Sequence, residues 1–162
     1  MIVADTSALV SLASINRLDL LLAEFDVRTT ETVFSELQEM ADYADSHGRA
    51  AQAVLDRQET LAVHEVDEPI ESGRIDAGEG SAVVLARERN ADFLITDDLR
   101  ALPELQAVTE TRIAISPILL RALVERDVLD GEDALAAVEQ LADERDWLGA
   151  PIYRRAKELF GG

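Results

Sequence analysis

Two short apolar runs in this sequence each stop at an acidic residue. The first run, residues 2–4, ends at Asp5, and the second, within residues 91–98, ends at Asp97 and Asp98. A carboxylate at the end of a buried strand carries a large desolvation cost unless a partner offsets it, and the first base after Asp5 is Arg17. We therefore expect these acids to meet a metal ion or groups from distant parts of the chain.

Strand-like and helix-like patterns alternate along the rest of the chain. Apolar runs predict strands at residues 2–5, 26–29, 61–66, 91–98 and 112–115. Helical spacing and helix-start signals predict helices at residues 7–14, 18–25, 30 or 32 to 40, 49–59, 81–87, 99–105, 118–128, 134–145 and from 151 onwards. His47 and Gly48 mark a break, Pro103 interrupts the sixth helix, and residues 69–73 are predicted to form a loop. The alternation is typical of an α/β fold with a mainly parallel sheet, in one domain.

Charge and cysteine content limit the class of protein. The chain has 33 acidic and 15 basic residues, a formal net charge of -18, and Lys157 is its only lysine. This balance indicates a strongly solvated surface, and we favour adaptation to a salt-rich cytoplasm as its explanation. The chain as a whole would repel nucleic acid at low salt. The absence of cysteine excludes disulfides, thiolate metal sites and cysteine nucleophiles. Because no run resembles a membrane span or a secretion signal, we expect a cytoplasmic protein without membrane contact.

Four carboxylates are candidates for a common site. In open parallel sheets, ligands bind beyond the carboxyl ends of the strands, where Asp5 and Asp97 are expected. Glu79 stands at the start of the helix that leads into the second acidic strand, and Glu36 lies at the margin of a buried helical face. Each of these two glutamates also fits a solvated helical position. Together, four carboxylates without lysine or histidine repel one another unless cations bridge them. Oxygen ligands favour Mg²⁺ or Mn²⁺, and such a site suits in-line phosphoryl displacement.

Four blocks of sequence resemble, in order, the motifs of PIN domains. They are VADTSAL at residues 3–9 with the helix near 17–21, TVFSEL at 32–37, GEGSAVVLA at 78–86 and LITDD at 94–98. The resemblance covers about residues 1–130, which leaves further helices over about 131–160, within a single domain of residues 1–162. It is closest to the prokaryotic branch, whose superfamily includes the VapC-like toxins of type II toxin–antitoxin pairs.

The resemblance implies a three-layer α/β/α sandwich and a metal-dependent endoribonuclease. Its catalytic and metal-binding acids would be Asp5, Glu36, Glu79 and Asp97, with Mg²⁺ or Mn²⁺ as cofactor. Thr6 or Ser7 would assist by hydrogen bonding, and Asp98 would be a secondary acid. One position departs from the pattern, because many relatives have aspartate where this chain has Glu79.

The same resemblance implies partners and alternatives. The partners would be an RNA substrate, an antitoxin protein and a second copy of the chain. The second copy would bind through the C-terminal helices, which equally suit the core. The alternatives are an inactive PIN-like binding or scaffold module and an RNA-processing factor. All four acidic positions are filled, which favours an enzyme. The absence of a cysteine-rich zinc module argues against the processing factors that carry one.

Several residues outside the four acids have alternative interpretations. Arg100 and Arg112 lie close in sequence to Asp97 and are candidates for contacting RNA phosphates, although solvated surface positions are the simpler interpretation. Trp147 is predicted to lie in the core beside the C-terminal helices. His47 and His64 are predicted to be surface or edge residues.

Overall fold

The structure, a computed structural model, describes residues 1–67, 70 and 73–161. Within these ranges five short strands form one sheet: β1 (Ile2–Ala4), β2 (Val27–Thr30), β3 (Ala62–His64), β4 (Phe93–Ile95) and β5 (Arg112–Ala114). Their order is β3-β2-β1-β4-β5, and all neighbouring strands are parallel. The predicted α/β fold with a parallel sheet is therefore confirmed. Most of the loop predicted at residues 69–73 lies outside the described residues.

Helices connect the strands and follow the last one. In the described ranges they are α1 (Thr6–Ser14), α2 (Leu18–Glu24), α3 (Glu31–Ala41), α4 (Ser46–Leu55), α5 (Ala77–Glu88), α6 (Leu102–Val108), α7 (Pro117–Glu125), α8 (Gly131–Glu144) and α9 (Pro151–Glu158). Among them no single helix is long and apolar enough to cross a membrane. The apolar pair α1 and α2 reaches that length only when taken together across a bend of 115°.

The central strands bury side chains on both faces of the sheet. Val3 and Leu94 pack with α5 and α6 in one hydrophobic cluster. Ala4 and Ile95 point to the opposite face and join the larger cluster, which contains α1 to α4 and α7 to α9. Because successive residues of a strand point to opposite faces, these short apolar strands supply both clusters at once. The result is the predicted three-layer α/β/α sandwich.

Two helix starts differ from the sequence prediction. Helix α4 begins at Ser46, before the break predicted at His47 and Gly48, because Asp45 caps it by accepting a hydrogen bond from the Gly48 N–H at 2.8 Å. Gly48 suits this helical position because a Cβ there would overlap the carbonyl oxygen of Tyr43. Helix α6 begins at Leu102, so Pro103 lies in its first turn, where proline leaves no helical hydrogen bond unmade, and does not interrupt the helix.

The C-terminal helices contribute to the main hydrophobic cluster. Leu120 and Leu123 of α7 and Val138 and Leu141 of α8 are fully buried, and α8 packs against α1. Trp147, which follows α8, is 6 % exposed in the same cluster, so its predicted place in the core is confirmed. These apolar faces are therefore used within the chain, and the predicted homodimer stays a prediction.

Candidate functional site

The carboxyl ends of β1 and β4 lie side by side at the middle of the sheet. Ala4 pairs with Ile95, and the Asp5 N–H donates to the Ile95 carbonyl at 3.1 Å. Since parallel strands end at the same edge, this register places Asp5 and Asp97 at one crevice. Asp5 follows β1 directly and Asp97 comes two residues after β4, so both acids lie at the ends of strands, as the sequence predicts.

Asp5 begins helix α1 and is almost completely buried, with 2 % of its surface exposed. Its Oδ1 accepts hydrogen bonds from the Ala8 N–H at 3.0 Å and from the Ser7 hydroxyl at 2.8 Å. Burial raises the pKa of Asp5 to about 7; hydrogen bonds from Thr96, Ala8 and Ser7 oppose the rise, and the Asp97 carboxylate adds to it. Its negative charge is therefore held out of water without a full counter-charge, which is typical of carboxylates at functional sites.

Ser7 joins the two acidic strand ends. Its hydroxyl donates to Asp5 Oδ1 and accepts from the Asp97 N–H at 2.9 Å, while Thr96 Oγ1 lies 3.4 Å away. Thr96 Oγ1 in turn accepts from the Asp98 N–H at 3.2 Å. These contacts join the residues that follow β1 to those that follow β4, and the assisting role predicted for Ser7 stays a prediction.

Both carboxylate oxygens of Asp97 are engaged by Ser116, the residue before α7. The Ser116 N–H donates to Oδ1 and the Ser116 hydroxyl donates to Oδ2, each at 2.7 Å. Burial raises the pKa of Asp97, while hydrogen bonds from Ser116 and Ser11 and the attraction of Arg145 oppose the rise. Asp97 thus ties the end of β4 to the start of α7, a structural role that its sequence context did not predict.

Glu79 lies in the first turn of α5 and is 6 % exposed. With Asp76 it forms a capping box: Asp76 Oδ1 accepts from the Glu79 N–H at 2.8 Å, and Glu79 Oε1 accepts from the Asp76 N–H at 3.2 Å. The other oxygen, Oε2, is buried and has no hydrogen-bond partner. Burial raises the pKa of Glu79 to about 8, and the charges of Asp76, Asp5 and Asp98 add to the rise.

Glu36 projects from the middle of α3 towards the start of α5. Its Oε2 accepts from the Thr6 hydroxyl at 2.8 Å, which gives Thr6 a positioning role. A Cβ at position 78 would overlap the Glu36 carboxylate, so Gly78 is what allows this approach. Burial raises the pKa of Glu36, and the Thr6 hydroxyl and the Gly78 N–H counteract it. The sequence marked Glu36 as a candidate, but its contact with α5 appears only in the tertiary structure.

A crevice of about 330 Å³ opens beside Glu79. Its lining includes the acids Asp76, Glu79 and Asp98 and the arginines Arg74 and Arg100. Arg100 is 92 % exposed, and its Nε lies 3.4 Å from Asp98 Oδ1. Arg74 is a second base at this edge, which sequence reasoning missed because it precedes the acidic motif without belonging to it.

Arg112 occupies a different part of the molecule. It begins β5 and pairs with Phe93, the first residue of β4, whereas the acids follow the last residue of β4. Because the strands are parallel, Arg112 lies at the amino edge of the sheet, where it borders a pocket with Met1 and Arg126. The closeness of Arg112 to Asp97 in sequence suggested that it lies beside the acids. The structure does not place it there.

Arg145 is a base that sequence reasoning did not connect with the acids. It follows α8, and its charge acts on both Asp97 and Asp5. Desolvation lowers the pKa of its guanidinium, and its Nε is buried without a hydrogen-bond partner. A basic residue at the C-terminal end of an amphipathic helix normally indicates a favourable helix-dipole position, so the sequence offered no separate signal.

A protein-family comparison identifies the chain. A family model described as DUF3368: PIN domain matches residues 1–162. The chain belongs to the PIN-domain family. No curated protein and no solved structure matches it significantly. PIN domains are generally nucleases and usually use divalent metal ions, so membership establishes a nuclease-type fold.

The donor chemistry of this PIN domain fits a hard divalent cation. Glu79 Oε2 is buried and unpartnered, and the charge of the buried Asp5 acts on it. Within residues 1–67, 70 and 73–161, no three histidine or acidic side chains are arranged to hold one metal ion together. Mg²⁺, however, keeps several waters and commonly takes only one or two carboxylates. Asp5 and Glu79 are two buried carboxylates of the required kind, and metal ligation by any of the four acids stays a prediction.

Proposed function

We propose that this PIN domain is a Mg²⁺- or Mn²⁺-dependent endoribonuclease that hydrolyses RNA phosphodiester bonds. The observation that carries the proposal is the buried, unpartnered Oε2 of Glu79 within electrostatic reach of a second buried carboxyl group, Asp5. A buried acceptor without a partner costs about 1–3 kcal/mol, and more when it is charged. A divalent cation at this edge would offset that cost and the repulsion between the two carboxylates.

Each residue of the site has a role in this proposal. Asp5 and Glu79 would hold the cation, which when bound lowers the pKa of water and stabilises the leaving oxygen. Ser7 keeps the ends of β1 and β4 at a constant spacing, and Thr6 orients Glu36 beside the start of α5. Glu36 has an acceptor oxygen near the same edge, where it is suited to orienting a water or a ribose hydroxyl.

RNA has to approach a chain with a net charge of -18, so local bases are needed at the crevice. Arg100 is exposed and paired with Asp98 across 3.4 Å, and such surface pairs are worth about 1 kcal/mol or less. A phosphate oxygen can therefore replace Asp98 as the partner of Arg100 at small cost. Arg100→Met should raise KM for RNA several-fold and leave kcat within about twofold.

The proposal is tested by cleavage of a mixed set of fluorescent single-stranded and hairpin RNAs in Mn²⁺ or Mg²⁺ at high KCl. We expect Asp5→Asn, Glu79→Gln and Asp97→Asn to lower kcat by about two orders of magnitude or more, as loss of a metal ligand or its support does. Glu88→Gln is the matched control, because Glu88 is an exposed acid at the other end of α5. Its cleavage rate should equal that of the wild type.

The outcomes separate the nuclease from its alternative. Equal cleavage by the wild type and Asp5→Asn would show that the activity arises elsewhere or from a contaminant, and would refute the proposal. Binding of RNA without cleavage of any substrate would favour the inactive PIN-like module. The neighbouring genes test the processing-factor alternative. Genes for RNA processing beside this one would favour it.

A toxin role for the same nuclease makes a separate prediction. Induced expression should arrest growth, expression of Asp5→Asn should not, and co-expression of a neighbouring small gene should restore growth if that gene encodes an antitoxin. Growth unaffected by an active nuclease would exclude the toxin role and leave the ribonuclease proposal unchanged.

A further inference from the structure

A pocket of about 180 Å³ lies at the β5 edge of the sheet. β5 is the last strand in the order, and its residue Ile113 lines the pocket. Helix α6 packs on one face of the sheet, whereas α7 and α9 pack on the other. These three helices contribute the lining residues Gln106, Ile118 and Arg155, in that order. Because both layers line it, the pocket opens between them, along the edge of β5.

The pocket and the acidic crevice share one short segment of chain. Thr96 and Leu99 line the pocket, while Asp98 and Arg100 line the crevice. The Thr96 hydroxyl accepts a hydrogen bond from the Asp98 N–H at 3.2 Å and lies 3.4 Å from the Ser7 hydroxyl. The two openings are therefore neighbours, and an RNA strand with a phosphate in the crevice has an adjacent nucleotide within reach of the pocket.

The edge of β5 offers backbone hydrogen-bonding groups beside this pocket. The Thr96 N–H donates to the Ala114 carbonyl at 3.0 Å, so Ala114 directs its backbone polar groups towards β4. Ile113, the residue before it, directs its N–H and carbonyl to the opposite side, because these groups alternate along a strand. No described strand pairs with that side of β5. One donor and one acceptor therefore lie side by side, a pattern that the edge of a nucleobase complements.

Apolar side chains and one arginine make up much of the remaining lining. Leu99, Ile118 and Leu159 supply the apolar surface, and Gln106 adds an amide. Arg155 is exposed on α9 and makes no hydrogen bond or ion pair among the described residues, so its guanidinium is free to bind an anion. The volume corresponds to about six water molecules of about 30 Å³ each, which gives room for one flat ring and none for a row of peptide side chains. A planar ring with a polar edge and an attached phosphate matches all of these features.

We propose that this pocket binds one unpaired nucleobase of the RNA substrate, next to the scissile phosphate, and that Arg155 binds a phosphate of the same strand. The inference rests on the proposed nuclease function and adds to it a class of substrate, namely single-stranded RNA or an unpaired loop. A base inside a duplex is stacked and paired, so it cannot enter the pocket, whereas an unpaired base can be turned out into it. Gln106 and the edge of β5 are the groups that contact the polar edge of this base.

The test separates contacts to the base from contacts to the phosphates. A fluorescent single-stranded RNA is compared with a ribose–phosphate strand of the same length that carries no bases. Binding to each is measured by fluorescence anisotropy at high KCl, in EDTA and again in Ca²⁺, with intact strands verified on a gel. Gln106→Trp places a large ring at the pocket, so it should lower the affinity for RNA by about tenfold and leave that for the base-free strand unchanged. Arg155→Met should lower both affinities by the same factor, because it removes a phosphate contact.

Matched controls test the position of each change. Ala107→Trp places the same ring on the next residue of α6, and Arg154→Met removes the neighbouring arginine of α9. Both of these residues are exposed and lie outside the pocket lining. Both control variants should therefore bind the two strands as the wild type does.

Three results would each overturn the inference: equal affinity of the wild type for the two strands, unchanged RNA affinity in Gln106→Trp, or a duplex RNA bound as tightly as the single strand. The second result would favour a peptide strand as the partner of β5. Base-dependent binding without cleavage would refute the nuclease and leave this inference standing. Cleavage with base-independent binding would refute this inference and leave the nuclease standing.

Discussion

Asp5→Asn should change the pH dependence of stability in the metal-free protein. The substitution keeps an acceptor oxygen for the Ala8 N–H and the Ser7 hydroxyl, and asparagine is as good a helix N-cap as aspartate. What it removes is the negative charge at a position that is 2 % exposed. The capping geometry and the side-chain volume are nearly constant, so the difference between the two proteins reports the cost of ionising Asp5.

The size of the effect follows from the raised pKa. Burial raises the pKa of Asp5 in the folded chain to about 7, from an ordinary value of 3.8. Between those values the folded state binds a proton that the unfolded state has lost, so stability falls as pH rises and the loss is complete above pH 7. At about 1.4 kcal/mol per pH unit below the folded pKa, the wild type loses about 3 kcal/mol between pH 5 and pH 8 through this group. Asp5→Asn lacks that loss.

Thermal unfolding in EDTA at pH 5 and pH 8 measures the difference. For a chain of this size about 3 kcal/mol corresponds to roughly 6–12 °C in Tm. The Tm of Asp5→Asn relative to that of the wild type should therefore rise by this amount between pH 5 and pH 8. Repeating the scans at 0.1 M and 2 M KCl separates this buried effect from surface repulsion, which salt screens. Glu88→Gln should follow the wild type at both pH values.

Added Mn²⁺ should reverse the order of stability. The cation binds the ionised Asp5 of the folded state only, so it should raise the Tm of the wild type at pH 8 and leave that of Asp5→Asn unchanged. A wild type whose stability relative to Asp5→Asn is the same at pH 5 and pH 8 would refute the reasoning about burial. Equal stabilisation of both proteins by Mn²⁺ would refute the assignment of Asp5 as a ligand.

Three other predictions follow from single contacts. Gly78→Ala places a Cβ onto the Glu36 carboxylate, so both Tm and the cleavage rate should fall, the rate at least tenfold. Adding Glu36→Ala to this variant should restore Tm but not cleavage. Ser116→Ala removes the 2.7 Å hydrogen bond to Asp97 and should lower the free energy of unfolding by about 2 kcal/mol, while Ser116→Thr should lower it less, as chemical denaturation would show. Raising KCl from 0.1 M to 2 M should increase Tm, because salt screens repulsion within a chain of net charge -18; a Tm that falls would contradict this expectation.

The sequence by itself determined the succession of elements and the positions of two acids. Apolar runs such as residues 2–4 and 93–95 are too short for helices and are followed by helical patterns, so an alternating parallel fold was the consistent solution. In such a fold, residues that follow a central strand lie at the carboxyl edge of the sheet, where ligands usually bind. The sequence therefore predicted that Asp5 and Asp97 lie at this edge, as they do. Local rules failed at Gly48, which packs against the Tyr43 carbonyl within α4, and at Pro103, which lies in the first turn of α6.

Only the tertiary structure decided how the charges at that edge are satisfied. Ser116 is 19 residues from Asp97 in sequence yet engages both of its oxygens. The charge of Arg145, which follows α8, also acts on Asp97. Arg112, close in sequence, lies at the opposite edge of the sheet because parallel strands separate their first residues from their last. Local pattern places a side chain along its own element. Its partners depend on which elements pack together.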